Sequence, residues 1–172
     1  MSFAGVILCG GASRRMGRDK ARLDWAGASA VERLAAVCRE LGAQSVITAG
    51  ADLGLSFVLD AREGPCGGVL AAASQVRTDR MLVLAVDAPT LTVDDVRPLL
   101  AARAPGAAYE GLPLPMAISR SAIPTDAEPN WPLRRLVERS GLARLACPGP
   151  AKARLRGANT PQERAELLAA LG

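Results

Sequence analysis

The sequence predicts a layered α/β fold on a mostly parallel sheet, and three observations predict it. Short apolar runs alternate with stretches of helical period from the first residues onward. Two of these runs, AGVIL at residues 4–8 and MLVLAV at residues 81–86, are apolar without a break, as strands covered on both faces are. The first runs into paired glycines and the second into an aspartate, and the carboxyl ends of parallel strands are where open α/β sheets bind ligands.

Each element follows in turn. The run at 4–8 ends at Gly10 and Gly11. Ser29-Ala-Val-Glu32 has the spacing of a capping box; Val31, Leu34, Ala35, Cys38 and Leu41 then recur at helical period, and Gly42 stops the helix. Residues 45–49 (SVITA) and 55–59 (LSFVL) read as the second and third strands, the latter running into Asp60. A short alanine-rich helix is expected over 69–76, after Gly64, Gly67 and Gly68. The strand at 81–86 ends at Asp87. Thr92 then opens a helix running to about Arg103, with Asp94 and Asp95 serving the positive end of its dipole. The proline-rich stretch 105–132 reads as irregular apart from one strand at 116–119, and it is expected to wall the acceptor side. A helix at 133–139, a strand at 144–147 and a last helix capped by Thr160-Pro-Gln-Glu163 complete the chain. Trp131, beside Pro132, reads as an anchor for the helix that follows it. No repeat or linker interrupts this order, so residues 1–172 are expected to form a single domain.

Composition narrows the chemistry. The chain has 172 residues and no histidine, which removes histidine-based triads, phosphohistidine intermediates and histidine-ligated metals. Cys9, Cys38, Cys66 and Cys147 are widely spaced and form no C-x-x-C pair, so they read as reduced, structural thiols of a cytoplasmic protein. Aromatic residues are 3% of the chain, too few for a base-stacking surface. The net charge of +4 suits an anionic ligand, but the basic residues are scattered, which argues against nucleic acid. The amino-terminal apolar stretch is too short for a signal peptide or a membrane span. Only Lys20 and Lys152 among the basic residues are lysines, which makes Lys20 conspicuous.

The segment Leu8-Cys-Gly-Gly-Ala-Ser-Arg-Arg-Met-Gly-Arg-Asp-Lys20 follows a strand. Its glycines let backbone amides approach phosphates, and Arg15 and Lys20 add positive charge. The spacing fits neither G-x-x-x-x-G-K-[ST] nor G-x-G-x-x-G, which disfavours a Walker-type ATPase and a dinucleotide-binding dehydrogenase.

This segment resembles the L-x-G-G-x-S-x-R-M-G-x-D-K pattern of the molybdenum cofactor guanylyltransferase family. Three further stretches are similar to that family's in the same order: Asp60-Ala-Arg-Glu-Gly-Pro-Cys-Gly-Gly68, Leu84-Ala-Val-Asp87-Ala-Pro89 and Asn159-Thr-Pro161. The resemblance implies a three-layer α/β/α, nucleotide-diphospho-sugar transferase-like fold, GTP as substrate, Mg²⁺ as cofactor and a molybdopterin acceptor, with a molybdoenzyme or cofactor-delivery partner as recipient. It implies nucleotide contacts through the backbone of Leu8, Cys9, Gly10 and Gly11. Lys20 would meet the phosphates, Asp60 the nucleoside and Asp87 the metal, with Asn159 also in the binding set. Arg15, Lys20 and Asp87 are the expected catalytic residues. The chain departs from the family pattern at Thr48 and Gly157, where asparagines are usual.

The reaction so implied is guanylyl transfer to molybdopterin with release of pyrophosphate. A cytidylyltransferase acting on molybdopterin or a sugar phosphate is one alternative, disfavoured by the Gly10-Gly11 pair where the cytidylyl relatives tend to show Ala-Gly. A non-catalytic GTP-binding or delivery protein is the other, kept open by Thr48 and Gly157.

Overall fold

A computed structural model describes residues 2–9, 20–59 and 64–171. Among these, seven strands form one sheet: β1 (Phe3–Leu8), β2 (Ser45–Ala49), β3 (Ser56–Val58), β4 (Arg80–Ala85), β5 (Gly106–Tyr109), β6 (Met116–Ser119) and β7 (Ala143–Leu145). Their spatial order is β3-β2-β1-β4-β6-β5-β7. The first four strands are mutually parallel, β6 runs antiparallel to both β4 and β5, and β7 is parallel to β5.

Alternation along the strands divides the core into two layers. Ala4, Val6 and Leu8 of β1 and Met81 and Val83 of β4 face one side. There they pack with α2 (Pro65–Gln75) and α4 (Leu133–Arg139) through residues such as Val69, Ala72, Leu136 and Val137. Phe3 and Ile7, and Leu82 and Leu84, face the other side, against Leu34 and Cys38 of α1 (Ala30–Glu40), Val96 and Leu99 of α3 (Val93–Ala101) and Leu155 of α5 (Lys152–Arg156). The result is the three-layer arrangement expected. Gly5 permits the closest of these contacts, since a Cβ there would lie 2.6 Å from the Cys38 sulfur. The last helix, α6 (Pro161–Ala169), packs instead on the segment after β1, through Leu167 with Trp25, Ala30 and Ala158.

Caps hold the helix starts as the sequence requires. Ser29 and Glu32 form a reciprocal capping box on α1, and Thr160 and Glu163 form another on α6. Several boundaries differ from the sequence reading. The second helix begins at Pro65, so Gly67 and Gly68 lie inside it. Within the stretch expected to be irregular, GAAY at 106–109 forms β5, an internal strand paired on both sides. Its small side chains carry no periodic signal; partners on either edge, rather than propensity, make it a strand. A short helix, α5, also precedes Gly157. No helix among the described residues is long and apolar enough to cross a membrane.

Candidate active site

The carboxyl ends of β1 and β4 lie side by side, because Leu8 pairs with Ala85 and the Val86 N–H donates to the Leu8 carbonyl at 3.1 Å. The glycine-rich segment leaves from the first end and Asp87 from the second. Gly10, Gly11, Arg15 and Asp60 lie outside the described residues, while Lys20 opens a 3-10 turn, Lys20–Arg22. Leu8 is buried and Cys9 half-buried. The Cys9 N–H donates to the Ala49 carbonyl at 2.8 Å.

Asp87 is half-buried and opens onto a cavity of about 670 Å³. One wall is the turn between β5 and β6, at Leu112, Pro113 and Leu114; the other is the α5–α6 corner, with Leu155, Arg156, Gly157, Asn159 and Glu163. The structure therefore brings Asp87 and Asn159 together, along with part of the proline-rich stretch. Sequence reasoning missed Arg156 and the two leucines of the turn, since nothing local in the sequence marks a residue as facing a cleft.

The backbone joins these parts. The Ala158 N–H donates to the Asp87 carbonyl at 2.8 Å. Gly157 stands at φ 71°, ψ −171°, a region open essentially only to glycine, and a Cβ there would fall against the Asp87 peptide. This gives the departure at Gly157 a physical reason: glycine lets the corner close against the strand-end aspartate. The other departure, Thr48, is fully buried and donates its hydroxyl to the Ala51 carbonyl at 2.7 Å, fixing the turn after β2.

Two arginines brace the site from behind. Arg33 of α1 donates from Nε to the Pro89 carbonyl at 3.1 Å and from Nη1 to the Trp25 carbonyl at 3.2 Å. It thus ties the loop carrying Asp87 to the segment that follows Lys20. Arg154 of α5 forms a two-pronged pair with Asp95, at 2.8 Å from Nε and 2.6 Å from Nη2. Asp95 also accepts from the Thr92 N–H as the capping partner of α3. Burial raises the Asp95 pKa, but the hydrogen bonds from Arg154 and Thr92 outweigh it and hold the carboxyl below the usual range. Asp95 is therefore the structural residue expected, with a reach beyond its own helix.

The remaining candidates are structural. Trp131 is buried and covered by the Arg135 guanidinium at 4.1 Å from its ring centre, as an anchor for α4. Burial pushes the Cys38 thiol up to about 12 and raises that of Cys66, which removes both as nucleophiles.

Known proteins share this architecture. The model of the MobA-like NTP transferase domain matches residues 5–156. A molybdenum cofactor guanylyltransferase of Xanthomonas euvesicatoria is 31% identical over 180 aligned residues, covering 96% of this chain and 94% of its own. A probable molybdenum cofactor guanylyltransferase of Pelotomaculum thermopropionicum is 38% identical over a shorter match, 52% of this chain and 47% of its own. Among solved structures, molybdopterin-guanine dinucleotide biosynthesis protein A of Archaeoglobus fulgidus superposes with a TM-score of 0.65 at 17% identity, covering 99% of this chain and 98% of that one. At that identity the likeness speaks for the fold. The family match, the near full-length relative and the shared fold agree: this chain belongs to the MobA-like NTP transferase domain family and is a nucleotidyltransferase.

Proposed function

We propose that the chain transfers GMP from GTP to the terminal phosphate of molybdopterin, forming molybdopterin guanine dinucleotide and pyrophosphate. One observation carries the reading: Asp87, at the end of a buried strand beside the origin of the glycine-rich segment, opens onto a cavity large enough for a second substrate. The guanylyltransferase names of the relatives agree with it.

An acceptor phosphate oxygen attacks the α-phosphorus of GTP. A new P–O bond forms, the bond from the α-phosphorus to the bridging oxygen breaks, and pyrophosphate leaves. A phosphate monoester loses its second proton near pH ~6, so the nucleophile is ionised at neutral pH and no general base is required. That suits a chain without histidine.

The work left to the protein is positioning and charge compensation. We assign Arg15, Lys20 and the amides of the Gly10-Gly11 segment to the triphosphate, Asp60 to the nucleoside and Asn159 to the binding set beside Asp87. No cluster of three metal-ligating side chains occurs among the described residues. A single strand-end carboxylate still fits Mg²⁺, whose remaining ligands are commonly phosphate oxygens and water. Asp87 would hold it there. Bound so, Mg²⁺ would supply neutralisation of the charge on the phosphates.

Pyrophosphate release measured with molybdopterin and either GTP or CTP tests the proposal. Release with GTP is expected. A preference for CTP would replace guanylyl by cytidylyl transfer, and tight GTP binding without release would leave a nucleotide-binding or delivery protein.

A further inference from the structure

The hairpin between the Lys20–Arg22 turn and α1 carries a tryptophan that stability does not explain. Asp24 and Ser29 pair as an antiparallel bridge, the Trp25 N–H donates to the Ala28 carbonyl at 2.8 Å, and Ala26 and Gly27 turn the chain at φ 56° and 88°. Positive φ at both central residues makes the tight two-residue hairpin turn. Alanine enters that region against its own preference, so the surroundings hold the hairpin in shape.

Trp25 stands where three parts of the site meet. Its side chain is buried in a cluster with Ala30 of α1, Ala158 and Leu167 of α6, and Val86 packs against that cluster. Val86 directly precedes Asp87, and the Ala158 N–H donates to the Asp87 carbonyl. The Trp25 carbonyl shares Arg33 with that of Pro89, in the same loop as Asp87. From α6, the half-buried Arg164 places its guanidinium 5.3 Å from the Trp25 ring centre and donates from Nη2 to the Asp24 carbonyl. The segment from Lys20, the loop of Asp87 and α6 are thereby joined around one ring.

The indole N–H is buried without a hydrogen-bond partner among the described residues. A donor so placed is destabilising, and a phenyl ring fills much of the same space with no donor to satisfy. Stability alone would favour phenylalanine there. What the wider indole adds is contact with several elements at once.

We propose that Trp25 is a positioning residue of the nucleotidyl-transfer site, acting through Lys20 and Asp87. The assignment rests on the proposed roles of these two, Lys20 at the phosphates and Asp87 at the metal. Transfer needs both on one triphosphate in one geometry, and a misplacement of about 1 Å can cost on the order of a hundredfold in rate. The indole sets their spacing by filling the junction between their segments. A smaller side chain lets the two drift apart, and the loss falls on kcat rather than on the KM for GTP. Arg164 clamps the ring from α6, so its contribution depends on the indole.

The test compares wild type with Trp25→Phe, Trp25→Leu, Arg164→Gln and the double variant Trp25→Leu/Arg164→Gln. Thermal melts check folding, calorimetry reads GTP affinity, and pyrophosphate release with molybdopterin reads turnover. Trp25→Phe is expected to melt close to wild type and to bind GTP as before, with kcat lowered roughly tenfold. Trp25→Leu should lower kcat further. Arg164→Gln should lower it by a smaller factor, and the double variant should be no slower than Trp25→Leu, because the clamp has lost its ring.

An unchanged kcat in folded Trp25→Phe and Trp25→Leu, or a raised KM for GTP at unchanged kcat, would overturn the positioning role. So would losses in the double variant that simply multiply. A fall in kcat in folded Trp25→Phe, seen in a protein that turns over CTP in place of GTP, would uphold the role and overturn the guanylyl-transfer reading instead.

Discussion

Gly157 has no room for a side chain because the Asp87 peptide fills the space: an added Cβ would lie 2.6 Å from the Asp87 carbonyl carbon and 3.0 Å from the Ala88 nitrogen. The two residues are 70 positions apart in the chain, yet the placement of one sets that of the other. Gly157→Ala should therefore displace the loop bearing Asp87. Backbone strain alone costs about 1–3 kcal/mol, and the collision adds to it. Gly157→Asn, which supplies the residue usual in the family pattern, should fare no better, since the obstacle is the first side-chain carbon. Pyrophosphate-release assays alongside thermal melts check this; a Gly157→Asn variant with normal melting and normal turnover would contradict it.

Asp87→Asn keeps the shape of the side chain and removes its charge. Turnover should fall by roughly a hundredfold or more, as when a preorganised charge-stabilising group is lost, with the melting temperature nearly unchanged. Rate against Mg²⁺ concentration provides the sharper readout: the variant should need more metal for half-maximal rate. An unaltered metal dependence would remove Asp87 from the metal site.

Arg33 serves two carbonyls, of Pro89 and Trp25, from one guanidinium. Lysine reaches neither pair of directions at once, so Arg33→Lys should behave almost as Arg33→Ala. We expect a loss of about 1–3 kcal/mol in stability and a fall in kcat with little change in the KM for GTP. Full rescue by lysine would show that charge alone matters there.

The Arg154–Asp95 pair predicts a pH-dependent contribution. Asp95 has a folded pKa below its unfolded value, near ~3.9. Its stabilisation is thus complete above that value and disappears as pH falls through the folded one. Arg154→Ala leaves a carboxylate that is only 4% exposed without its cation, whereas the Arg154 side chain itself is 33% exposed. A loss of roughly 2 kcal/mol at neutral pH is expected, below that of a fully buried pair. The gap between variant and wild type in denaturant unfolding should narrow as pH drops below about 4. A gap independent of pH would mean that the arginine acts through packing.

Alkylation of the native protein with iodoacetamide should spare Cys38 and Cys66, both fully buried with raised thiol pKa values. Mass spectrometry before and after denaturation reads the sites. Rapid native labelling of Cys38 would mean that α1 separates readily from β1.

Much of this fold was legible because its strongest signals are local. The apolar runs at 4–8 and 81–86 became neighbouring central strands, and the boxes begun by Ser29 and Thr160 cap their helices. The start of α2 was misjudged because glycine is a poor helix former, yet Gly67 is wanted for space: a Cβ there would press on Pro129 at 3.3 Å. The strand formed by GAAY escaped notice for lack of any pattern. Of the candidate site, Asp87 and Asn159 could be named from their motifs, while Arg33, whose acceptor lies 56 residues away, belongs to the tertiary structure alone.

The reversal of direction at β6 has a wider consequence. East of β4, so to speak, the sheet is a different building: β6, β5 and β7 and their short turn at 112–114 can be remodelled without disturbing any bond among β1, β2 and β3. Substitutions on that flank can thus accumulate while the pairing of the parallel half of the sheet stays as it is.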